Sequence, residues 1–382
     1  LRVGLVYQVD PDHWDFTHDL IWQELRRASD PVEKAAFHAR VAERLLAQLE
    51  PPAGAVAEHL WESHQLEACL PWTLKAARLH QAAGDLEAAA HFWQQAVQLQ
   101  PDVREHRFEW GCSLRNLGHY AEARQPLTRA LQMSPTSLLR AHCRAKLGEN
   151  DWRAGQLNQA AEHFRLGLAE LGIRVPSGRL RWLALARELC PVPGGPRQLD
   201  ERQRLAARML DQLAYTTAYS DGMGMIWANL RGLRLTARWR GLERGILLAS
   251  HAVLLLYIPG WLGRARRSIE EALQLVGQDR QHRANTLARQ GSILLFGGDL
   301  ERALRTSREA LRSLIHGGDR YDVRMTRYNL AYEHYWLGQL EESGQVALEG
   351  WKDASQAGDW LAAAYCARVL AALGVIPNGF FQ

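Results

Sequence analysis

Residues 84–101, GDLEAAAHFWQQAVQLQP, and residues 118–135, GHYAEARQPLTRALQMSP, carry the same residue types in the same places. Each stretch begins with a glycine, continues with regularly spaced alanines and ends with a proline. A period of this length is typical of a repeated helix-turn-helix unit. The matched positions, all related by a shift of 34 residues, are Gly84, Leu86, Ala89, Trp93, Ala96 and Pro101, and Gly118, Tyr120, Ala123, Leu127, Ala130 and Pro135.

The same template returns at four further places along the chain. Each residue type has a physical reason: glycine supplies the left-handed backbone that ends the first helix, and alanine lets two helices approach closely. A larger residue fills the gap between neighbouring units, and proline stops the second helix. The further sets are Gly155, Leu157, Ala160, Phe164 and Gly167; Gly260, Leu262, Ala265, Ile269 and Ala272; Gly298, Leu300, Ala303, Ser307 and Ala310; and, more loosely, Gly338, Leu340, Ser343, Ala347 and Gly350.

This pattern resembles the tetratricopeptide repeat. Because no single unit can bury its apolar face alone, several units must stack to make a core. We therefore predict an all-α, tetratricopeptide-like α-solenoid, a superhelix of helical hairpins, preceded by a small N-terminal β-hairpin. The β-hairpin is expected because two β-prone runs flank Asp10-Pro11-Asp12.

The period is interrupted once, and this divides the chain. Residues 176–199 hold four prolines, and PVPGGP (191–196) is typical of a loop. We predict the end of a winged-helix domain and the following helix in 1–50, a first array in 51–175, the interruption in 176–199 and a second array in 200–382. The chain begins without methionine and ends without closing its last helical unit, so we expect a piece of a longer protein.

Composition excludes several classes of protein. A hydrophobic content of 47% in 382 residues excludes wholesale disorder, and a net charge of +4 makes no case for a nucleic-acid or membrane surface. The five scattered cysteines form no close pairs, which fits a reducing cytoplasm, and no apolar run is long enough to span a bilayer. The arginine-rich run 231–244 could contact phosphates, but at helical spacing a solvated face is favoured, so we expect no direct nucleic-acid binding.

The N-terminal stretch FTHDLIWQEL (16–25), followed by residues 37–42 and by AEHLWES (57–63), resembles the end of the winged-helix part of signal-transduction ATPases with numerous domains. That group includes maltose-regulator-like activators and kinases that carry an ATPase module. The resemblance implies that His18 contacts the β-phosphate of ADP in the resting state and that Asp19 supports it. The alternative is that His18 only packs against or caps a helix start.

No G-x-x-x-x-G-K-[ST] loop and no strand ending in paired acids occur in the chain. We therefore expect no cofactor in this chain itself; ADP or ATP would bind only in a full-length protein that carries an upstream ATPase module. HExxH and G-x-S-x-G are also absent, so we predict neither a metal site nor a catalytic constellation.

The predicted function is regulatory and non-catalytic. The repeat superhelix would bind a protein or peptide partner in its concave groove and couple that contact to the chain's own upstream ATPase module. The alternative is a stand-alone scaffold for protein assembly with no nucleotide link. Aligning the units on their glycines places candidate partner-binding side chains on the concave side: Tyr328, Tyr332, Tyr335 and Trp336, beside Asn285, Arg289, Ser292 and Phe296. The other interpretation is that these tyrosines contact the next unit or a neighbouring domain.

Overall fold

The computed structural model describes residues 6–10, 13–16, 30–190, 197–218, 220–315 and 320–375. Near the N-terminus, β1 (Val6–Asp10) and β2 (His13–Phe16) pair antiparallel, with Val6 opposite Phe16 and Gln8 opposite Trp14. A register irregularity lies between Gln8 and Asp10, next to the turn.

The rest of the described chain is helical. The first eight helices are α1 (Pro31–Leu46), α2 (Ala53–Glu62), α3 (Leu66–Ala83), α4 (Leu86–Leu99), α5 (Arg104–Leu117), α6 (Tyr120–Gln132), α7 (Ser137–Arg153) and α8 (Leu157–Glu170). After a 3-10 turn (Gly178–Leu180) follow α9 (Arg181–Leu189), α10 (Glu201–Thr217), α11 (Gly222–Leu235), α12 (Leu242–Leu255), α13 (Leu262–Val276), α14 (Arg280–Phe296), α15 (Leu300–Ile315), α16 (Arg320–Trp336), α17 (Leu340–Gln356) and α18 (Trp360–Ala372).

Consecutive helices form antiparallel hairpins, and their turns lie where the repeat predicts them. Gly84, Gly118 and Gly155 have φ angles of +79°, +89° and +77°, a backbone region that residues with a Cβ seldom adopt. Pro101 and Pro135 lie two and three residues after the ends of α4 and α6, the second helices of their units. The all-helical repeat architecture is therefore confirmed.

The alanines and the larger apolar residues of the repeat template form the hydrophobic core. Ala89, Ala123 and Ala160 are fully buried, which allows close helix crossings. Phe164 is also fully buried, and a Cβ added to Gly148 would lie 2.7 Å from its ring. Burial of one such side chain contributes roughly 1.5–3 kcal/mol.

The region between the two arrays also contains structure. Helix α9 lies inside the interruption and packs against α11, while residues 191–196 are outside the described part of the chain. Residues 201–255 then form α10, α11 and α12. The helices of the described residues include none that is long and apolar enough to cross a membrane.

The second array contacts the first through residues of α16. The rings of Trp152 in α7 and Tyr321 in α16 lie 5.0 Å apart, and Tyr321 is only 5% exposed. Arg320 Nη2 lies 2.7 Å from Glu87 Oε1, and α16 also contacts α5. We call this region the closure contact.

Candidate functional site

The curvature of the array defines an inner surface. The first helices of the seven hairpins are α3, α5, α7, α10, α12, α14 and α16, and from α5 onward each contacts the next. The second helices make no comparable contacts with one another within the described residues. Because the first helices are closer together, the array curves toward them, and their facing side chains form what we call the inner wall.

At the C-terminal end of the inner wall, α16 carries the predicted aromatic set. The ring centroids of Tyr332 lie 6.0 Å from Tyr328 and 6.5 Å from Tyr335, both in stacked orientation. Trp336 packs edge-on against Tyr332 and Tyr335 and is 54% exposed. Leu330, on the same helix, is 4% exposed and packs between helices.

Two of these tyrosines also contact α18, the helix that follows the α16–α17 hairpin. Arg368 of α18 donates to the Tyr328 hydroxyl at 2.6 Å and lies 5.8 Å from the centres of both the Tyr328 and Tyr332 rings. Tyr365 lies 4.9 Å from Tyr328. Tyr328 and Tyr332 therefore make the contact with the next unit that the other interpretation requires, whereas Trp336 stays about half exposed.

The four predicted residues on α14 differ in their surroundings: three lie nearer the surface, and Arg289 lies among buried side chains. Asn285 donates to Asp322 of α16 at 2.8 Å, which links neighbouring first helices, while Ser292 is half-buried and Phe296 is 64% exposed. Arg289 lies deeper. Its guanidinium stands 5.1 Å from the Tyr215 ring centre.

Arg289 completes a polar chain across three first helices. It donates to Ser250 Oγ at 3.2 Å, and the Ser250 hydroxyl donates in turn to Asp211. Asp211 is 2% exposed, and burial raises the pKa of its carboxyl despite the nearby Arg289. This polar chain of hydrogen bonds connects α10, α12 and α14 along the inner wall.

A further charged cluster lies on α5 and α7, and the sequence prediction omitted it. Arg115 and Lys146 both bind the Glu149 carboxylate, with Lys146 Nζ at 3.1 and 3.0 Å from its two oxygens. Desolvation and the nearby Arg115, Arg153 and Arg208 lower the pKa of Lys146 to about 7. The repeat alignment did not point to it, because matching Gly118 with Gly155 pairs Arg115 with Trp152 and not with Glu149.

The predicted nucleotide sensor residues, His18 and Asp19, lie outside the described residues. No group of three or more histidines, cysteines or carboxylates that could hold a metal ion occurs in the part of the chain that the structure describes. The candidate site is therefore the inner wall.

Comparison with known proteins identifies distant structural similarity only. No protein-family profile and no curated protein matches the sequence. A Signal Transduction ATPase with Numerous Domains from Pyrococcus horikoshii, which has a tetratricopeptide repeat sensor, matches 98% of this chain at 12% identity with a TM-score of 0.42. This chain spans 54% of that protein's length, about half.

A Rap protein complexed with Competence and Sporulation Factor matches 81% of this chain and 87% of its own at 12% identity, with a TM-score of 0.47. These TM-scores and identities are too low for function to be inferred from either protein. The assignment of tetratricopeptide-like hairpins depends instead on the turns, the buried small residues and the helix order of the chain itself.

Proposed function

We propose that this chain is a regulatory, protein-binding region that takes an extended peptide or protein segment along its inner wall. The observation that carries the proposal is the aromatic set on α16, which ends in the half-exposed Trp336. Flat aromatic side chains with polar neighbours are enriched at protein interfaces, where they bury large areas at low entropic cost. Here Arg368 supplies such a polar neighbour.

The proposal is tested by selecting peptides from a random library against the whole chain and measuring their affinity by fluorescence anisotropy. Changing both Tyr332→Ala and Tyr335→Ala is expected to weaken binding at least about tenfold, as for interface residues that dominate affinity. Trp182→Ala is the matched control, because Trp182 is 67% exposed on α9, outside the arrays. Equal affinities for the double variant and the parent would overturn this use of the inner wall.

We further propose that peptide binding is coupled to an upstream nucleotide switch. The support is the resemblance of residues 16–25, 37–42 and 57–63 to the corresponding region of signal-transduction ATPases. A ligand that binds one conformation of the repeat array more tightly shifts the equilibrium of the attached module. The rival proposal, a stand-alone scaffold, requires only the binding surface.

His18 provides the test of this coupling. In the longer protein with its ATPase module, His18→Ala is expected to weaken ADP binding about tenfold or more and to raise basal output, because an imidazole donor to phosphate is lost. The measurement is equilibrium binding of a fluorescent ADP analogue. ADP affinity unchanged by the substitution, or a natural protein with no phosphate-binding loop upstream, would favour the scaffold.

A further inference from the structure

The hairpin turns of the second array carry exposed apolar side chains along one edge of the molecule. The first helices α12, α14 and α16 contact one another in order, so the turns that follow them lie on the same edge. We call these side chains, which are between 37% and 77% exposed, the turn ridge: Tyr257, Ile258, Trp261, Phe296, Trp336 and Leu340. Large apolar residues exposed in a row mark an interaction surface.

The turn ridge is specific to the second array, and the repeat itself does not require it. Two positions before the turn glycine, the second array has large apolar residues: Ile258, Phe296 and Trp336. The equivalent positions of the first array hold small, polar or charged residues instead: Ala82, Asn116 and Arg153. The closure contact leaves the ridge uncovered, because it involves the start of α16, roughly 24 Å from Trp336 at 1.5 Å per residue.

Opposite charges stand at the two ends of the turn ridge. At the α12–α13 end, the Arg264 guanidinium lies 4.3 Å from the Trp261 ring centre. Arg266 reaches into the next turn, since a Cβ added to Gly297 would lie 2.5 Å from its Nη2. At the α16–α17 end, Glu341 belongs to the acidic first turn of α17. These three charged side chains are exposed, and none forms an ion pair with another described residue.

The middle turn is electrically balanced. Asp299 and Arg302 are both exposed beside it. Glu301 pairs with Arg305 at 3.6 Å. The charge of the ridge therefore changes from positive through neutral to negative along the edge. Such an edge is complementary to its own copy turned end for end about a two-fold axis through the middle turn, because each positive end then faces a negative end.

The turn ridge is large enough for a dimer. Aromatic side chains bury about 150–250 Å² each, so the six ridge side chains, at their present exposure, offer on the order of 600 Å² per copy. A standard protein interface buries about 800 Å² per partner. The charged side chains at the two ends and in the middle turn supply the rest as a polar rim.

We propose that the turn ridge is the interface of a two-fold symmetric dimer of this chain. Phe296 lies near the symmetry axis and packs against its counterpart in the second copy. Arg264 of each copy pairs with the counterpart of Glu341, so the same ion pair forms twice. This inference goes beyond the proposed function, because it concerns an edge of the array. Trp336 is the side chain at which the edge and the inner wall meet.

Reversing one charge at each end tests the pairing. In a dimer of Arg264→Glu two carboxylates face each other, and in a dimer of Glu341→Arg two guanidinium groups do, so each variant alone should dimerise at least about tenfold more weakly than the parent. An equal mixture of the two variants restores an opposite-charge pair at both ends. Its dimer should regain about the parent's affinity and contain one chain of each variant. Sedimentation velocity with one variant fluorescently labelled measures both the mass and the composition.

Lys75→Glu is the matched control, because Lys75 is exposed on α3 of the first array and its reversal changes the net charge by the same amount. This variant should dimerise like the parent. An equal loss in Lys75→Glu, a parent that sediments as a monomer at every concentration, or a mixture that associates no better than the single variants would each overturn the proposal. Circular dichroism establishes that every variant is folded.

Phe296→Ala tests the apolar centre of the interface. It removes a ring that the dimer buries twice, so we expect dimerisation at least about tenfold weaker, whereas Trp182→Ala, at an exposed position outside the arrays, should have no effect. Dimers unaffected by Phe296→Ala would overturn the assignment of the interface to this edge. Peptide affinity measures the inner wall separately: Arg264→Glu should bind peptide like the parent, so the two proposals fail independently.

Discussion

Glu333 is a fully buried carboxylic acid between α14, α15 and α16, and it has no exposed surface. Ser307 donates to its Oε1 at 2.7 Å, while Oε2 has no hydrogen-bond partner among the described residues. The absence of a side chain at Gly291 makes room, because a Cβ there would lie 2.2 Å from Ser307 Oγ and 3.0 Å from Glu333 Oε1. Burial raises the pKa of Glu333 to about 7, and Ser307 and Arg308 only partly oppose the shift.

This raised pKa predicts that the chain loses stability as the pH rises. The folded state holds a proton on Glu333 up to about pH 7, whereas an unfolded glutamate releases it near pH 4.5. The stabilising contribution is therefore complete below pH 4.5 and disappears as the pH passes 7. Glu333→Gln keeps the shape without the ionisation, so at pH 8 we expect it to be more stable than the parent, by on the order of 3 kcal/mol at most.

Urea denaturation of the parent and of Glu333→Gln at pH 5.5 and pH 8 measures this effect. The gain in unfolding free energy should be largest at pH 8 and about 2 kcal/mol smaller at pH 5.5, since stability falls by about 1.4 kcal/mol per pH unit between the two pKa values. Glu342→Gln, an exposed position on α17, serves as the control and should change neither value by more than about 0.5 kcal/mol. A pH-independent difference between the parent and Glu333→Gln would show that Glu333 is ionised in the fold.

At the scale of the helical hairpin, the sequence predicts the structure well because the relevant contacts are local. Gly118 ends α5, Ala123 is buried at the crossing, and Leu127 fills the space beside Gly111, all within one unit. A fixed distance along the chain therefore becomes a fixed contact in space. The same reasoning places Leu330 in the packing layer and Trp336 outside it.

Contacts between units that lie far apart in the chain could not be predicted in this way. The polar chain from Asp211 to Arg289 needs α10, α12 and α14 side by side, yet α10 belongs to a region where the repeat signature is too degenerate to align. Arg208 of α10 pairs with Glu243 of α12 at 3.2 Å for the same reason. The ion pair between Arg115 and Glu149 joins α5 and α7, and the glycine alignment does not indicate it.

At the scale of the whole molecule, the closure contact depends on the summed curvature of all the hairpins between α7 and α16. Its two parts differ in expected strength. Arg320 and Glu87 have side chains that are 48% and 67% exposed, and such surface ion pairs contribute about 0.2–1 kcal/mol. Tyr321 is buried between Trp152 and the Arg153 guanidinium, so its ring contributes more.

We therefore predict that Tyr321→Ala opens the superhelix and Arg320→Glu does not. Truncating a buried aromatic ring costs roughly 3–5 kcal/mol, enough to separate two surfaces that are held by few other contacts. Small-angle X-ray scattering of the parent and both variants should give a larger radius of gyration for Tyr321→Ala alone, with helical content by circular dichroism unchanged. Identical scattering curves for Tyr321→Ala and the parent would mean that the curvature of the array, rather than this contact, keeps its two ends together.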